Sequence, residues 1–95
     1  MKFRMELIDC FNFSDGRMVL LGYIFGCDNL IKNCKCGLFK NGVYVQELHV
    51  ITEQIIKKVK MNNYRALETL GTLPFNCENI KDNKWEIICN LKDTD

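Results

Sequence analysis

Between residues 2 and 11 the chain alternates, with Phe3, Met5, Leu7 and Phe11 on one phase of a two-residue repeat and Arg4 and Glu6 on the other. That is the pattern of a strand with one face against a core and one in water. Ser14-Asp15-Gly16-Arg17 supplies turn chemistry, because Gly16 is free to take a positive φ. An apolar run over residues 18–25 predicts a second strand, stopped by Gly26-Cys27-Asp28-Asn29. Residues 34–40 form a third and lead into Asn41-Gly42, the strongest short hairpin signal, so residues 43–50 are expected to return antiparallel to them.

The middle of the chain supports two readings. Leu48, Ile51, Ile55 and Val59 recur at three- and four-residue spacing with Lys57, Lys58 and Lys60 between them, as on an amphipathic helix. Val43, Val45, His49 and Ile51 equally share one phase of a strand. Asn62-Asn63 ends the segment in either case. Residues 64–70 read as a short strand stopped by Gly71, and the sole proline, Pro74, opens a connection to a final strand over residues 85–89. The tail, 91–95, is expected to fray. Strands at regular intervals with turns between them predict an all-β fold, a sandwich or a closed barrel, and closure removes exposed edges.

A length of 95 residues fits one domain over 1–95. With 13 basic and 12 acidic side chains the chain has no long-range field that would draw it to nucleic acid or to an anionic membrane. Lys2, Arg4 and Glu6 interrupt the start and no uninterrupted apolar region follows, so no export signal is expected, and the apolar run at 18–25 is far short of the roughly 20 residues of a spanning helix. The expectation is therefore a cytoplasmic chain without a membrane partner. It follows that Cys10, Cys27, Cys34, Cys36, Cys77 and Cys89 are expected as reduced thiols packed like small hydrophobes.

Candidate chemistry is sparse. His49 is the only histidine, and no nucleophile motif accompanies it, so no catalytic residue is assigned. Cys34-Lys35-Cys36 puts two thiols on one side of a strand, where they could share a soft metal, but structural zinc takes four ligands, commonly from C-x2-C knuckles. No metal and no cofactor are expected on that ground. Lys57, Lys58, Lys60 and Arg65, with Tyr64 among them, are the one local basic cluster and the candidate nucleic-acid contact. Residues 18–25 are apolar on both phases, Met18, Leu20 and Ile24 on one and Val19, Leu21, Tyr23 and Phe25 on the other. A barrel strand has a single inner face, so either the chain's own segments cover the second phase or Leu21, Tyr23 and Phe25 form a protein-binding patch.

The order of these motifs resembles a known barrel. Phe11-Asn12-Phe13-Ser14-Asp15-Gly16-Arg17-Met18-Val19-Leu20-Leu21-Gly22-Tyr23-Ile24 resembles the opening hairpin of the β-barrel domain that follows the GTP-binding domain in elongation factor Tu and its relatives. Leu30-Ile31-Lys32-Asn33 is similar to that family's turn before the third strand, and Lys40-Asn41-Gly42 to the next hairpin. Leu70-Gly71 and Glu78-Asn79-Ile80-Lys81-Asp82-Asn83-Lys84-Trp85-Glu86-Ile87-Ile88 resemble the closing segment. The resemblance spans residues 7–89 and implies a small closed antiparallel β-barrel of six or seven strands, with residues 55–60 in strand or loop. In that family the positions matching Leu21, Tyr23 and Phe25 tend to be polar. The family's barrel also helps to hold the aminoacyl end of transfer RNA. Here Ile8 precedes the retained Asp9, and Leu70 stands where an arginine is usual, so that pocket is not expected. With no P-loop, no nucleotide is expected either.

The expected function is thus a non-enzymatic binding module that engages another protein or a second copy of itself. An RNA-contacting translation accessory and a thiol or metal sensor are the alternatives.

Overall fold

A computed structural model describes residues 2–13, 15–54, 64–70, 73–74 and 77–90. Six strands appear in chain order: β1 (Lys2–Asn12), β2 (Arg17–Phe25), β3 (Lys32–Lys40), β4 (Val43–Gln54), β5 (Tyr64–Leu70) and β6 (Trp85–Asn90), with a short 3-10 helix, Cys77–Asp82, before β6. They close into an antiparallel barrel in the order β1-β2-β5-β4-β3-β6, with β6 pairing back onto β1. The closed all-β barrel expected from the sequence is the fold observed, with six strands.

One phase of each strand lines the interior. Met5 on β1, Leu20 on β2, Leu38 on β3, Val50 on β4, Leu67 on β5 and Ile87 on β6 are all fully buried in one core. Ile31, from the loop between β2 and β3, and Ile80, from the 3-10 helix, are buried in the same core. No residue within 47–54 is helical: β4 runs through Gln54, so the strand reading of that stretch prevails. The segment where helix and strand compete further on, 55–60, lies outside the described residues, as does the tail at 91–95.

Two expectations about β1 and the thiols are corrected. Alternation puts Phe11 on the inner phase with Phe3, Met5 and Leu7, but it is half exposed, and Cys10 is buried in its stead. A register shift between Leu7 and Asp9 in the β1–β2 pairing inserts one residue, and a one-residue slip turns every later side chain to the other face. Turned inward by this bulge, Cys10 is disulfide-bonded and not a reduced thiol, while Cys27, Cys34, Cys36 and Cys89 are outside any disulfide.

The β3–β4 hairpin turns at Asn41 (φ 50°) and Gly42 (φ 85°), the pair of positive φ values that lets a two-residue turn follow the twist of its strands. Asn41 also ties the hairpin to the approach of β6. Its backbone N–H donates to the Lys84 carbonyl at 2.7 Å, its Oδ1 accepts from the Lys84 N–H at 2.9 Å, and its Nδ2 donates to Asn83 Oδ1 at 3.0 Å. Asn41→Ala removes the side-chain half of this clasp and the residue best suited to left-handed backbone. A loss of about 1–2 kcal/mol in urea unfolding is expected, with the barrel retained.

Candidate functional site

Two groups of side chains on the barrel are candidates for a site. One lies on the outer face of β1, β2 and β5. The other lies inside, between β3 and β6.

The outer group follows from the second apolar phase of β2. With Met18, Leu20 and Ile24 turned inward, Val19, Leu21, Tyr23 and Phe25 point out. Register then sets their neighbours. Leu21 pairs with Asp9 on one side and Ala66 on the other, Tyr23 with Glu6 and Tyr64, and Phe25 with Arg4. At one end of the row Phe11, Phe13, Val19, Leu21 and Ala66 line a cleft of about 590 Å³, rimmed by Arg17, Gln54 and Glu68. Phe11 and Phe13 stand half exposed at its mouth, 50% and 47%, and the Arg17 guanidinium lies 5.3 Å from the Phe13 ring centre. In the middle, Tyr23 packs edge to face on Tyr64 with ring centres 4.8 Å apart. At the far end the Arg4 guanidinium sits 4.7 Å from the ring centre of Phe25, itself 47% exposed.

Charged groups frame this surface without interrupting it. Glu6 and Glu86 face each other across the β1–β6 pair, which would be repulsive, but Arg4 Nη1 donates to both at 2.6 and 2.9 Å. Glu68, buried on the outer side of β5, is met by Arg17 at 3.4 Å and by the Gln54 amide. Among the described residues no buried side-chain nitrogen or oxygen lacks a partner.

Of the residues expected to form a protein-binding patch, Leu21, Tyr23 and Phe25 do share one outward row. Phe11, Phe13 and Tyr64 extend it. Sequence reasoning misses Phe11 because the bulge in β1 has no signature in the apolar pattern, and Phe13 because it lies past the strand end.

The basic cluster fares differently. Lys57, Lys58 and Lys60 lie outside the described residues. Arg65 is not free to meet a phosphate, since its Nε and Nη2 grip both carboxylate oxygens of Glu53 at 2.7 Å, Nη2 also reaches the Asn29 carbonyl at 2.7 Å, and Nη1 donates to the Cys27 carbonyl. Burial pushes the Glu53 carboxyl up, yet the hydrogen bonds from Arg65 and the Ile31 N–H, with the Arg65 charge, hold it below its ordinary value. The Tyr64 ring is spent on Tyr23. As for His49, its Nε2 lies 2.7 Å from Asn33 Oδ1 on the exposed side of the β3–β4 hairpin, with no nucleophile pattern around it.

The inner group begins with Cys34-Lys35-Cys36. Two residues apart on β3, both thiols face the interior, with Sγ atoms 3.7 Å apart. The β3–β6 pairing runs from Lys40↔Trp85 to Gly37↔Ile88, so one step further Cys36 stands across from Cys89. The three sulfurs lie within 4.8 Å of one another, and all three residues are buried. Cys89 Sγ also reaches the Lys35 carbonyl at 3.7 Å. The hydrogen bond from Cys36 holds the Cys34 thiol down to about 7 against burial, while the same bond, together with burial, pushes the Cys36 thiol far up. Sequence spacing reveals two members of this trio, and only the pairing of strands distant in the chain supplies the third.

No protein-family model, no curated protein and no solved structure matches the chain. No helix among the described residues is long and apolar enough to cross a membrane.

Proposed function

We propose that this chain is a non-catalytic β-barrel binding module that engages another protein, or a second copy of itself, through the outer face of β2 and its flanking residues. The observation that carries this reading is the apolar and aromatic row on the outer face, exposed at Phe11, Phe13 and Phe25, half-buried at Leu21, Tyr23 and Tyr64, and buried at Val19 and Ala66. A barrel strand needs apolar residues only on its inner face, and a contiguous outer patch on a small protein marks an interaction surface. Aromatic side chains next to arginine are the composition of interface anchors, and here Phe13 and Phe25 each lie against a guanidinium. Covering such a row would be worth about 25 cal/mol per Å² of apolar area before association entropy is subtracted. A likeness to the translation-factor barrel remains part of the proposal, resting on the motif order and on the closed antiparallel architecture.

Phe13→Ser with Phe25→Ser is the test, because both rings are half exposed and neither fills the core. The double variant is expected to melt within about 1 kcal/mol of the parent, as surface substitutions do. In sedimentation velocity and in capture from a nuclease-treated extract it should lose the association that the parent shows. Collapse of the melt would assign these rings to the fold, and nuclease-sensitive capture would favour RNA.

Tyr23 is a different case, since it is half buried against Tyr64. Tyr23→Ser should weaken association and also cost about 1–2 kcal/mol of stability, from the lost edge-to-face contact and the ring's burial. Thermal and urea melts of the single variant check the second effect independently of any partner.

A further inference from the structure

We propose that Cys34, Cys36 and Cys89 form a three-thiolate site for a soft, thiophilic metal ion, with Cu(I) as the best-fitting class. This goes beyond the outer-face reading and does not depend on it.

The geometry is close to that of a loaded site. A metal–sulfur bond of about 2.3 Å places three sulfurs roughly 4.0 Å apart around a trigonal ion and about 3.8 Å apart around a tetrahedral one. The Cys34 and Cys36 sulfurs are 3.7 Å apart, and no pair in the trio exceeds 4.8 Å. The widest pair is thus within about 1 Å of the spacing a trigonal site needs. The backbone that holds the ligands is rigid by construction: two come from one face of β3 and the third from its hydrogen-bonded neighbour β6, so the barrel itself preorganises them.

The donor set selects the ion. All three ligands are sulfur, which favours Cu(I) and Zn(II) over ions that seek oxygen. No histidine, aspartate or glutamate among the described residues joins the group, and the three cysteines are 5%, 4% and 2% exposed within an apolar core. Zn(II) closes its shell with a fourth ligand, from protein or water, whereas Cu(I) is satisfied by three or fewer sulfurs. On binding, each coordinating thiol gives its proton to solvent, a metal–sulfur bond replaces the S–H bond, and no electron is transferred. Cys27 lies apart, its Sγ directed at the Asn29 carbonyl, and Cys10 is held in a disulfide, so neither competes.

The experiment is an anaerobic titration of the full-length protein, freed of reductant, with Cu(I) held in a chromophoric chelator, and in a parallel arm with Zn(II). One equivalent of Cu(I) per chain is expected, with thiolate-to-metal charge-transfer absorption and, at the metal absorption edge, three sulfurs at about 2.3 Å. Cys36→Ser and Cys89→Ala should weaken Cu(I) binding by more than the roughly 100-fold that loss of a group merely supporting a ligand costs. Cys27→Ser should bind as the parent does. One equivalent of Zn(II) in preference to Cu(I), with a nitrogen or oxygen fourth ligand, would overturn the choice of ion. A cooperatively melting parent that retains neither ion, or a metal shell without three sulfurs, overturns the site. Because these outcomes are measured on the parent protein, they decide the matter even where a cysteine variant fails to fold.

Discussion

Gly22→Ala is expected to destabilise the barrel by about 3 kcal/mol or more, the largest effect of a glycine-to-alanine change among the described residues. Gly22 sits in the middle of β2 opposite Leu7, next to the bulge that re-aims β1. A Cβ there would stand 2.0 Å from the Glu6 carbonyl oxygen, 2.9 Å from its carbonyl carbon and 3.1 Å from Leu7 Cα. All three are backbone atoms within a paired strand, so no side chain can swing aside. The β1–β2 ladder itself must open. Gly16 provides the contrast: its φ of +89° also disfavours a side chain, but nothing lies within 4 Å of where a Cβ would go. Gly16→Ala should therefore cost only about 1 kcal/mol, the conformational penalty alone. Urea unfolding of the two variants side by side checks the claim, and equal losses would show that close approach of β1 to β2 is not what requires Gly22.

Arg65→Met should cost about 3 kcal/mol, because it strands a carboxylate that, among the described residues, Arg65 and one backbone N–H satisfy. Glu53 has 9% of its side chain exposed and Arg65 20%, and the two form a bidentate pair between β4 and β5. The same pair fastens the loop that delivers Ile31 to the core. Arg65 donates to the carbonyls of Cys27 and Asn29, Glu53 Oε1 accepts from the Ile31 N–H at 3.2 Å, and the Glu53 N–H donates to the Ile31 carbonyl at 2.8 Å. Removing the guanidinium thus leaves a buried carboxylate with the Ile31 N–H as its remaining donor and takes a donor from the Cys27 and Asn29 carbonyls. Glu53→Gln keeps the shape and should cost less.

The pair also sets an acid limit. The folded-state pKa of Glu53 lies below its ordinary value, so the unfolded chain takes up its proton first as pH falls. The stabilisation is complete above the ordinary carboxylate range of about 4.3 and is lost as pH drops through the lower, folded value. Asp15, held low by the hydrogen bond from the Arg17 N–H and by the Arg17 side chain, titrates in the same direction at the surface. The informative comparison is accordingly parent against Glu53→Gln. The variant's stability should fall less steeply below about pH 4, and parallel acid limbs for the two proteins would rule out Glu53 as the source.

How much of the barrel is legible from the chain depends on the range of the interaction concerned. Alternation and turn chemistry are local, and they suffice for most of the strands, though not for the far end of β4, where helical and strand spacing compete. The expected strand at 64–70 coincides with β5, Asn41-Gly42 makes the turn of the β3–β4 hairpin, and the doubly apolar phases of β2 foretell its outer row. What depends on the register between strands is not legible. The bulge between Leu7 and Asp9 exchanges Phe11 for Cys10 in the core, and no property of either side chain announces where a strand will take in an extra residue. Arg65 reads as a surface cation until β5 lies beside β4 and Glu53 faces it.

The thiol trio shows the same division. The two-residue period of a strand places Cys34 and Cys36 on one side from sequence alone. Cys89 is 53 positions further along the chain than Cys36, and it joins them because β6 inserts between β3 and β1 to close the barrel. Sequence by itself therefore determined most of the strands, the Asn41-Gly42 turn and which strand carried a second apolar face, since these follow from backbone preference and the burial of neighbouring side chains; the extent of β4 and the 3-10 helix before β6 were not among them. Tertiary structure alone decided which distant groups share a site. Barrel closure and register bring them together, and both are set by the packing of the whole core and by no residue's immediate neighbours.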